Sequence, residues 1–199
     1  MGQSPRSISS VCVFCGASGE AAPDLLDAAA RLGQALAAAD LKLIYGGGGV
    51  GLMGACALAA HEAGGKVLGI IPHFLKVREQ RLDVVETIVV ESMHERKMQL
   101  FDRSDAFIVL PGGIGTLEEI VELLSWRRLD LHAKPVVFYN VDGFWEPLFA
   151  LFQHTVDAKL TPPDFMQSWT TADTVDAILP ALLSALPAPD SDPGINEKA

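Results

Sequence analysis

The sequence predicts a single doubly wound, Rossmann-like α/β domain with a mainly parallel sheet of about seven strands. Three observations support this fold class. Short apolar runs alternate with longer stretches of helical spacing. The strand-like runs are apolar throughout, as in a parallel sheet that helices cover on both faces. Two glycine-rich loops each follow a strand-like run and precede a helical stretch, at the carboxyl ends of strands where such sheets bind ligands.

The amino-terminal half supplies four predicted strands and two predicted helices. Residues 23–39 predict a helix, because a proline stands at a permitted first-turn position and leucines recur at near-helical spacing. A second helix, over about residues 52–63, ends at a glycine pair, which is typical of helix C-termini. The predicted strands are the apolar runs at residues 11–15, 41–45, 67–71 and 84–90.

The carboxyl-terminal half continues the alternation. Its predicted order is helix 92–103, strand 106–110, helix 116–129, strand 135–139, helix 145–158, a short strand near 168–170 and helix 172–186. Prolines and charges dominate from residue 187 on, which is typical of a disordered tail. We therefore expect a flexible N-terminus over residues 1–9, one nucleotide-binding domain over 10–186 and a disordered tail over 187–199.

The composition argues against several classes of function. The chain has 199 residues and a formal net charge of −10, which argues against a nucleic-acid binder but not against a small anionic ligand. The sequence has neither a signal peptide nor an apolar run of membrane-spanning length, so we expect a cytoplasmic protein without membrane contact. The five histidines lack metal-ligand spacing, so we infer no metal site. Cys12 and Cys15 are three apart in a strand, which predicts core thiols on opposite faces.

The glycine-rich loop before helix 116–129 has the features of a phosphate site. Its sequence is Pro111-Gly112-Gly113-Ile114-Gly115-Thr116. Glycine lets backbone N–H groups approach a ligand closely, and the unpaired N–H groups of a first helical turn favour an anion. Glu119 follows inside the helix and has two interpretations. It can act beside the bound phosphate, or it can complete a capping box with Thr116, in which the acid only bonds the backbone of the cap.

A second glycine motif consists of Gly49, Gly51 and Gly54, which have the spacing of a dinucleotide-binding loop. The following strand, however, ends at Pro72 without the acid that would hold a ribose hydroxyl. A tight turn with close helix packing, or a supporting role around a mononucleotide, explains the motif better than a nicotinamide or flavin does. We therefore expect no cofactor.

Arg96 and Lys97 lie on or beside the apolar stripe of helix 92–103. This helix opens with Ser92 and Glu95 at capping-box spacing, and for Glu95 we favour that structural interpretation. Two cations beside an apolar stripe need a partner, because burying an unpaired charge is unfavourable. We expect a ligand phosphate or an acid across a cleft to be that partner, and we expect Arg96 to face the cleft rather than a sealed core.

Taken together, these segments closely resemble the LONELY GUY family of cytokinin riboside 5'-monophosphate phosphoribohydrolases, often mislabelled lysine decarboxylases. The family's marker is P-G-G-x-G-T-x-x-E with an upstream arginine-lysine pair, and both are intact here. The resemblance extends from Cys15-Gly16-Ala17-Ser18 to Asn140-Val141-Asp142-Gly143. Nothing in the sequence supports lysine decarboxylation, because no lysine stands in a context that identifies a Schiff-base site.

The resemblance implies roles for individual residues. It implies that Arg96 and Glu119 form the catalytic pair. The expected substrate contacts are Ser18, Glu79, Lys97, Gly112, Gly113, Ile114, Gly115, Thr116 and Ser125. The glycine loop with Thr116 would bind the 5'-phosphate, Glu79 and Lys97 would lie near the ribose, and Ser125 stands where the family has a threonine. The resemblance also implies a homodimer with sites near the subunit interface.

Our first functional hypothesis is hydrolysis of the N-glycosidic bond of a purine riboside 5'-monophosphate, either AMP or an N6-prenylated adenine nucleotide. The transition state should resemble an oxocarbenium ion, which Glu119 would stabilise, or Glu119 would activate the water. Arg96 would hold the phosphate or ribose, or orient Glu119. The alternatives are a non-enzymatic nucleotide or molybdenum-cofactor carrier that uses the same cradle, and a transferase that passes the sugar to another base.

Overall fold

The computed structural model describes residues 7–76 and 80–186, and a seven-stranded sheet lies at the centre of this part of the chain. Every pair of neighbouring strands is parallel, which confirms the predicted fold class. The strands are β1 (Ser10–Phe14), β2 (Lys42–Tyr45), β3 (Val67–Pro72), β4 (Glu86–Val90), β5 (Ala106–Val109), β6 (Val136–Tyr139) and β7 (Thr170–Ala172). Their order across the sheet is β4-β3-β2-β1-β5-β6-β7.

Helices alternate with the strands along the chain. They are α1 (Pro23–Ala38), α2 (Gly51–Glu62), α3 (Met93–Asp102), α4 (Ile114–Arg128), α5 (Glu146–Asp157) and α6 (Val175–Ser184). Short 3-10 turns occur at His73–Leu75, Val141–Gly143 and Pro163–Gln167. Among the described helices, none combines the length and the apolar character that crossing a membrane requires.

The helices cover the sheet on both faces. On one face, α1, α2 and α6 pack with apolar residues such as Leu32 against the sheet. On the other face, α3, α4 and α5 contribute residues such as Leu100. Cys12 and Cys15 lie in the cores of different faces, as the alternation of side chains along a strand requires. Both are free and buried, and burial raises the pKa of each thiol, so they are core thiols as predicted.

The order of winding reverses at β1 and β5. From β1 the sheet extends through β2, β3 and β4 on one side, whereas β5, β6 and β7 extend it on the other. In open α/β sheets, ligands bind in the crevice outside the carboxyl ends of the strands at such a switch point. The ends of the two strands are tied together, because Leu110 N donates to Phe14 O at 2.9 Å and Gly16 N donates to Pro111 O at 3.0 Å.

Most predicted elements agree with the structure to within two residues at each end, whereas β7 is shifted along the chain and the last helix is shorter than predicted at both ends. β7 begins at Thr170 rather than near residue 168, because Ser168 N donates to Phe165 O at 3.0 Å and closes a 3-10 turn. The last helix begins at Val175 rather than at residue 172, because Ala172 still belongs to β7.

Ser9, which the sequence placed in a flexible N-terminus, is tied to the sheet. Its backbone N–H and its hydroxyl both donate to the Asp105 carboxylate at 2.8 Å. The predictions for residues 1–6, for Glu79 and for residues 187–199 concern positions outside the described part of the chain.

Candidate functional site

The loop after β5 and the first turn of α4 form an open cradle, residues 112–116. Gly113 is the N-cap of α4, its backbone is extended, and no side chain caps the helix. Within the described residues, the N–H groups of Ile114, Gly115 and Thr116 donate to no protein acceptor, as is usual in a first helical turn. A Cβ placed on Gly113 or Gly115 would meet nothing within 4 Å. An anion can therefore approach these backbone donors closely.

Gly112 and Thr116 fix the shape of this cradle from behind. A Cβ on Gly112 would stand 2.1 Å from Thr116 Oγ1, so no larger residue fits there without moving the threonine. Thr116 is buried, whereas the Ile114 side chain at the front of the cradle is 83% exposed. The cradle is thus rigid at its base and open to solvent at its mouth.

The capping-box interpretation of Glu119 is wrong. α4 begins at Ile114, so Thr116 lies inside the first turn and cannot be the N-cap. The helix starts two residues earlier than predicted because the glycines before it supply an N-cap with an extended backbone and need no side-chain cap. The Glu119 side chain is consequently directed to a partner outside its own helix.

The second capping box is confirmed. Ser92 is the N-cap of α3, and its hydroxyl accepts a hydrogen bond from Glu95 N at 3.1 Å. The Glu95 carboxylate accepts one from Glu91 N at 3.0 Å, one residue before the cap. The capping geometry fixes the first turn of α3, and Arg96 follows directly after it.

Arg96 and Glu119 form a buried ion pair between α3 and α4. Arg96 Nη1 donates to Glu119 Oε1 at 2.7 Å, and the two side chains are 7% and 10% exposed. The partner of Arg96 is therefore an acid on the neighbouring helix, which is one of the two kinds of partner that the sequence predicted. The expectation that Arg96 faces a cleft is wrong, because the α3–α4 contact and the ends of the neighbouring strands enclose it.

Two backbone carbonyls fix the orientation of the Arg96 guanidinium. Arg96 Nε donates to Ile70 O in β3 at 3.2 Å, and Arg96 Nη2 makes a longer contact of 3.5 Å with Gly46 O after β2. Gly46 has no room for a side chain, since a Cβ there would stand 2.2 Å from Arg96 Nη2. All three guanidinium nitrogens thus have partners within the protein, and the arginine holds the Glu119 carboxylate in place.

Lys97 forms a second connection between the same two helices. Its ammonium nitrogen lies 2.6 Å from Glu118 Oε1 and 2.9 Å from Glu122 Oε2. The hydrogen bonds that Lys97 donates to Glu118 and Glu122 raise the pKa of Lys97, so its amine remains protonated at neutral pH. Sequence analysis predicted a contact of Lys97 with the ribose and did not find these acids. Their spacing of four residues on one helix, opposite a lysine, is the signal that could have found them.

The second glycine motif serves packing. The N–H groups of Leu52 and Met53 at the start of α2 both point to Gly16 O, at 3.0 and 3.4 Å. Gly51 has a φ of +63°, and a Cβ there would stand 2.5 Å from Ser18 O. These contacts confirm the interpretation as a tight turn with close packing, and a supporting role around a mononucleotide stays a prediction.

The remaining predicted contacts lie at different distances from the cradle. Ser18 is exposed in the loop after β1, which packs against the start of α2. Ser125 is exposed on α4, eleven residues after Ile114, which is about 16 Å along the helix axis. The chain therefore does not bring its own Ser125 to its own cradle. Within the described residues, no group of three or more potential metal ligands occurs.

Sequence analysis also missed Gly46, which clears the space for the Arg96 guanidinium. The available signal was a run of four glycines directly after a predicted strand, Gly46-Gly47-Gly48-Gly49. The need for glycine at position 46 comes from the buried Arg96 side chain, and the sequence does not show that this side chain lies there.

Comparisons with known proteins agree on one family. Residues 53–182 match the family described as "Possible lysine decarboxylase". The chain is 43% identical over 178 residues to the probable cytokinin riboside 5'-monophosphate phosphoribohydrolase LOGL9 of Oryza sativa subsp. japonica, covering 89% of this chain and 78% of that protein. It is 42% identical over 181 residues to the cytokinin riboside 5'-monophosphate phosphoribohydrolase LOG5 of Arabidopsis thaliana, covering 90% of this chain and 79% of that protein.

A solved structure shares the fold. The molybdenum cofactor carrier protein from Chlamydomonas reinhardtii aligns with a TM-score of 0.66 at 23% identity, over 89% of this chain and 97% of that chain. At this identity the likeness shows the fold alone.

Proposed function

This chain belongs to the LONELY GUY family of cytokinin riboside 5'-monophosphate phosphoribohydrolases, and we propose that it hydrolyses the N-glycosidic bond of a purine riboside 5'-monophosphate. The products are the free base and ribose 5-phosphate. The observation that carries the proposal is the buried Arg96–Glu119 pair, in which Arg96 of α3 lies 2.7 Å from Glu119 of α4, the helix whose first turn forms the open cradle.

The cradle is the proposed site of the 5'-phosphate. Its backbone donors and the positive end of the α4 dipole suit a phosphate, and the absent side chains of Gly113 and Gly115 leave room for it. A phosphate bound there fixes the position of the ribose, so that its anomeric carbon is held beside the Glu119 carboxylate. Positioning of this kind makes a large contribution to rate.

Glu119 is the proposed catalytic residue, and it acts as an ionised carboxylate. As the bond from C1' to the base nitrogen breaks, the electron pair leaves with the base and positive charge develops on the ribose ring. A carboxylate beside the ring stabilises that charge, or it takes a proton from the water whose oxygen bonds to C1'. The departing base acquires one proton, which is balanced by the proton that the attacking water loses as its oxygen bonds to C1'. Arg96 acts through Glu119, since its guanidinium nitrogens contact that carboxylate and two backbone carbonyls.

The lysine nearest the pair argues against the decarboxylase description of the family. A Schiff base requires an unprotonated amine. Two carboxylates hold Lys97 as an ammonium, because their hydrogen bonds raise its pKa. We propose that Lys97 approaches the ribose when the substrate is bound, as the resemblance implies, and that Glu79 does so as well.

We further propose a homodimer that uses the outer face of α4. Ile114, Glu118, Val121 and Ser125 recur at helical spacing along this face, and all four are exposed. Two exposed aliphatic side chains in one stripe suit a protein contact. Ser125 lies too far from the cradle of its own protomer to contact a phosphate bound there. In such a dimer, it can instead contact a ligand in the cradle of the partner. The cytoplasmic location that the sequence predicts also remains a proposal.

Incubation of the purified protein with AMP and with prenyl-AMP tests the function directly. We expect free adenine or prenyladenine together with an equal amount of ribose 5-phosphate. Addition of a second labelled base separates hydrolysis from base exchange, because a transferase would build a new labelled nucleotide. Tight binding of either nucleotide without release of base would favour the carrier hypothesis instead.

A further inference from the structure

A polar cavity lies at the end of the sheet opposite the catalytic pair. It measures about 260 Å³ and is bounded by the last turn of α4, the connection from α4 to β6 and the 3-10 turn before β7. Its walls carry Arg127, Arg128, His132, Gln167 and Ser168, with Asp130 and Asp164 also on the wall. α4 begins at the cradle and ends here; it is 15 residues long, which is about 22 Å. The cavity is therefore separate from the proposed active site.

Three hydrogen-bond donors in this wall lack an anionic partner. Within the described residues, no carboxylate lies within 4.0 Å of the Arg127 or Arg128 guanidinium. Arg127 is partly buried and contacts only the Lys134 carbonyl, at 2.5 Å. Ser168 is 7% exposed, yet among the described residues its hydroxyl has no hydrogen-bond partner, so the remaining exposure of this side chain is toward the cavity.

The imidazole of His132 does not contribute a charge. Both of its nitrogens are used within the protein, since Nε2 contacts Leu123 O at 3.0 Å and Nδ1 accepts from Lys134 N at 3.2 Å. Burial lowers the pKa of His132 to about 4, so the ring is neutral at pH 7. Burial also lowers the pKa of Arg127, as expected for a cation whose charge no nearby acid balances.

We propose that this cavity binds a small phosphate-bearing anion through Arg127, Arg128 and Ser168. Guanidinium groups present planar pairs of donors that match the oxygens of a phosphate, and the accessible Ser168 hydroxyl on the cavity wall supplies a further donor. A phosphate also has more acceptor oxygens than a carboxylate, which suits two arginines and a serine. The cavity is smaller than the roughly 300–1,000 Å³ of sites for drug-sized ligands, so inorganic phosphate or a small phosphate monoester fits it better than a nucleotide does.

Asp130 and Asp164 allow the charge of the ligand to be tested. Both acids line the cavity but lie beyond ion-pair distance of its arginines, so they repel an anion without neutralising the cations. Removing one of these charges should therefore strengthen the binding of an anion. A cationic or zwitterionic ligand would respond in the opposite direction.

Titration of the ¹⁵N-labelled full chain with inorganic phosphate at constant ionic strength tests the site. The backbone amides of Ala133 and Ser168 report on this cavity, whereas those of Gly113 and Gly115 report on the cradle, so the two sites are followed separately. Arg128→Gln is the main variant, because Arg128 makes no hydrogen bond or ion pair within the described chain and its loss leaves the fold intact. Ser168→Ala is the second variant. Arg103→Gln is the matched control, since this exposed arginine bonds only Gln99 and lies outside the cavity wall.

We expect saturable shifts at Ala133 and Ser168, weakened at least about tenfold by Arg128→Gln, as loss of a charge-assisted hydrogen bond predicts. Ser168→Ala should weaken them less, Arg103→Gln should leave them unchanged, and Asp164→Asn should strengthen them. The response at Gly113 and Gly115 should persist in every variant. Absence of saturable shifts at Ala133 and Ser168, equal binding to Arg128→Gln, weaker binding to Asp164→Asn, or equal saturation by acetate would overturn the proposal.

Discussion

Replacing Glu119 with glutamine is the sharpest test of the proposed catalytic pair. The amide has the shape of the carboxylate and can still accept the hydrogen bond from Arg96 Nη1, which spans 2.7 Å. What it removes is the negative charge. The substitution therefore separates the chemistry of the carboxylate from its contribution to packing between α3 and α4.

The expected losses of stability and of turnover in Glu119→Gln follow from the buried position of the pair and the proposed role of the carboxylate. Arg96 stays charged in this variant, so the substitution leaves a buried cation without its counter-charge and should lower the free energy of unfolding by up to about 3–5 kcal/mol. For a domain of this size that corresponds to a fall in melting temperature of up to about 6–20 °C. The turnover number of the folded variant should fall by about 10²–10⁴-fold, as for other positioned acid–base groups.

The assay measures release of free base from AMP alongside a thermal melt of each variant. Glu95→Gln is the matched control, because Glu95 is a half-buried acid outside the Arg96–Glu119 pair and a glutamine can keep its bond to Glu91 N. It should leave both rate and melting temperature close to those of the unmodified protein. A Glu119→Gln rate within a few-fold of the unmodified protein, with the same fold, would refute the catalytic role.

Further perturbations test other parts of the site. Arg96→Ala should lower the free energy of unfolding by about 3–5 kcal/mol, because it leaves the Glu119 carboxylate buried without its guanidinium. Arg96→Lys should restore part of that stability but little turnover, since an ammonium lacks the planar fork; an alanine variant with full stability in a thermal melt would contradict this. Gly46→Ala should reduce turnover by about 10²-fold through displacement of the arginine, and an unchanged rate would show that the guanidinium can shift without consequence. Adenosine should be a much poorer substrate than AMP in the same product assay, whereas comparable rates would mean that the cradle does not bind the phosphate. Stability should decline as the pH falls from about 6.5 to about 4, because the unfolded chain takes up a proton on His132 that the fold excludes. Urea titrations should show this decline, by about 1–2 kcal/mol, and His132→Gln should reduce it.

The fold follows from local patterns because each strand and helix carries its own signal. Local patterns predicted an element at or near each of the described strands, and β7 alone moved as a whole along the chain. Its shift came from a 3-10 turn, Pro163–Gln167, whose hydrogen bonds depend on the neighbouring backbone rather than on a periodic pattern. The start of α4 was missed for a related reason. A glycine N-cap with no side-chain bond leaves no polar residue in the sequence to mark it.

The candidate site was predictable only where its residues are adjacent in sequence. The cradle is one continuous segment, so its glycines could be assigned a role before its shape was known. The surroundings of Arg96 combine segments from β2, β3, α3 and α4, and no spacing rule joins Gly46 and Ile70 to an arginine in a later helix. The same limit applies to Lys97, whose two acidic partners lie on α4.

The buried position of Arg96 favours one of the roles that the sequence left open for it. An arginine that bound the 5'-phosphate would be directed at the cradle, yet Arg96 is buried and its Nε, Nη1 and Nη2 donate to Ile70 O, Glu119 and Gly46 O. We therefore propose that the backbone of α4 holds the phosphate and that the arginine orients the Glu119 carboxylate. In this proposal, recognition and chemistry are divided between the first two turns of α4. Changes in the cradle should act mainly on KM, and changes at Arg96 mainly on kcat, because Arg96 reaches the substrate only through Glu119.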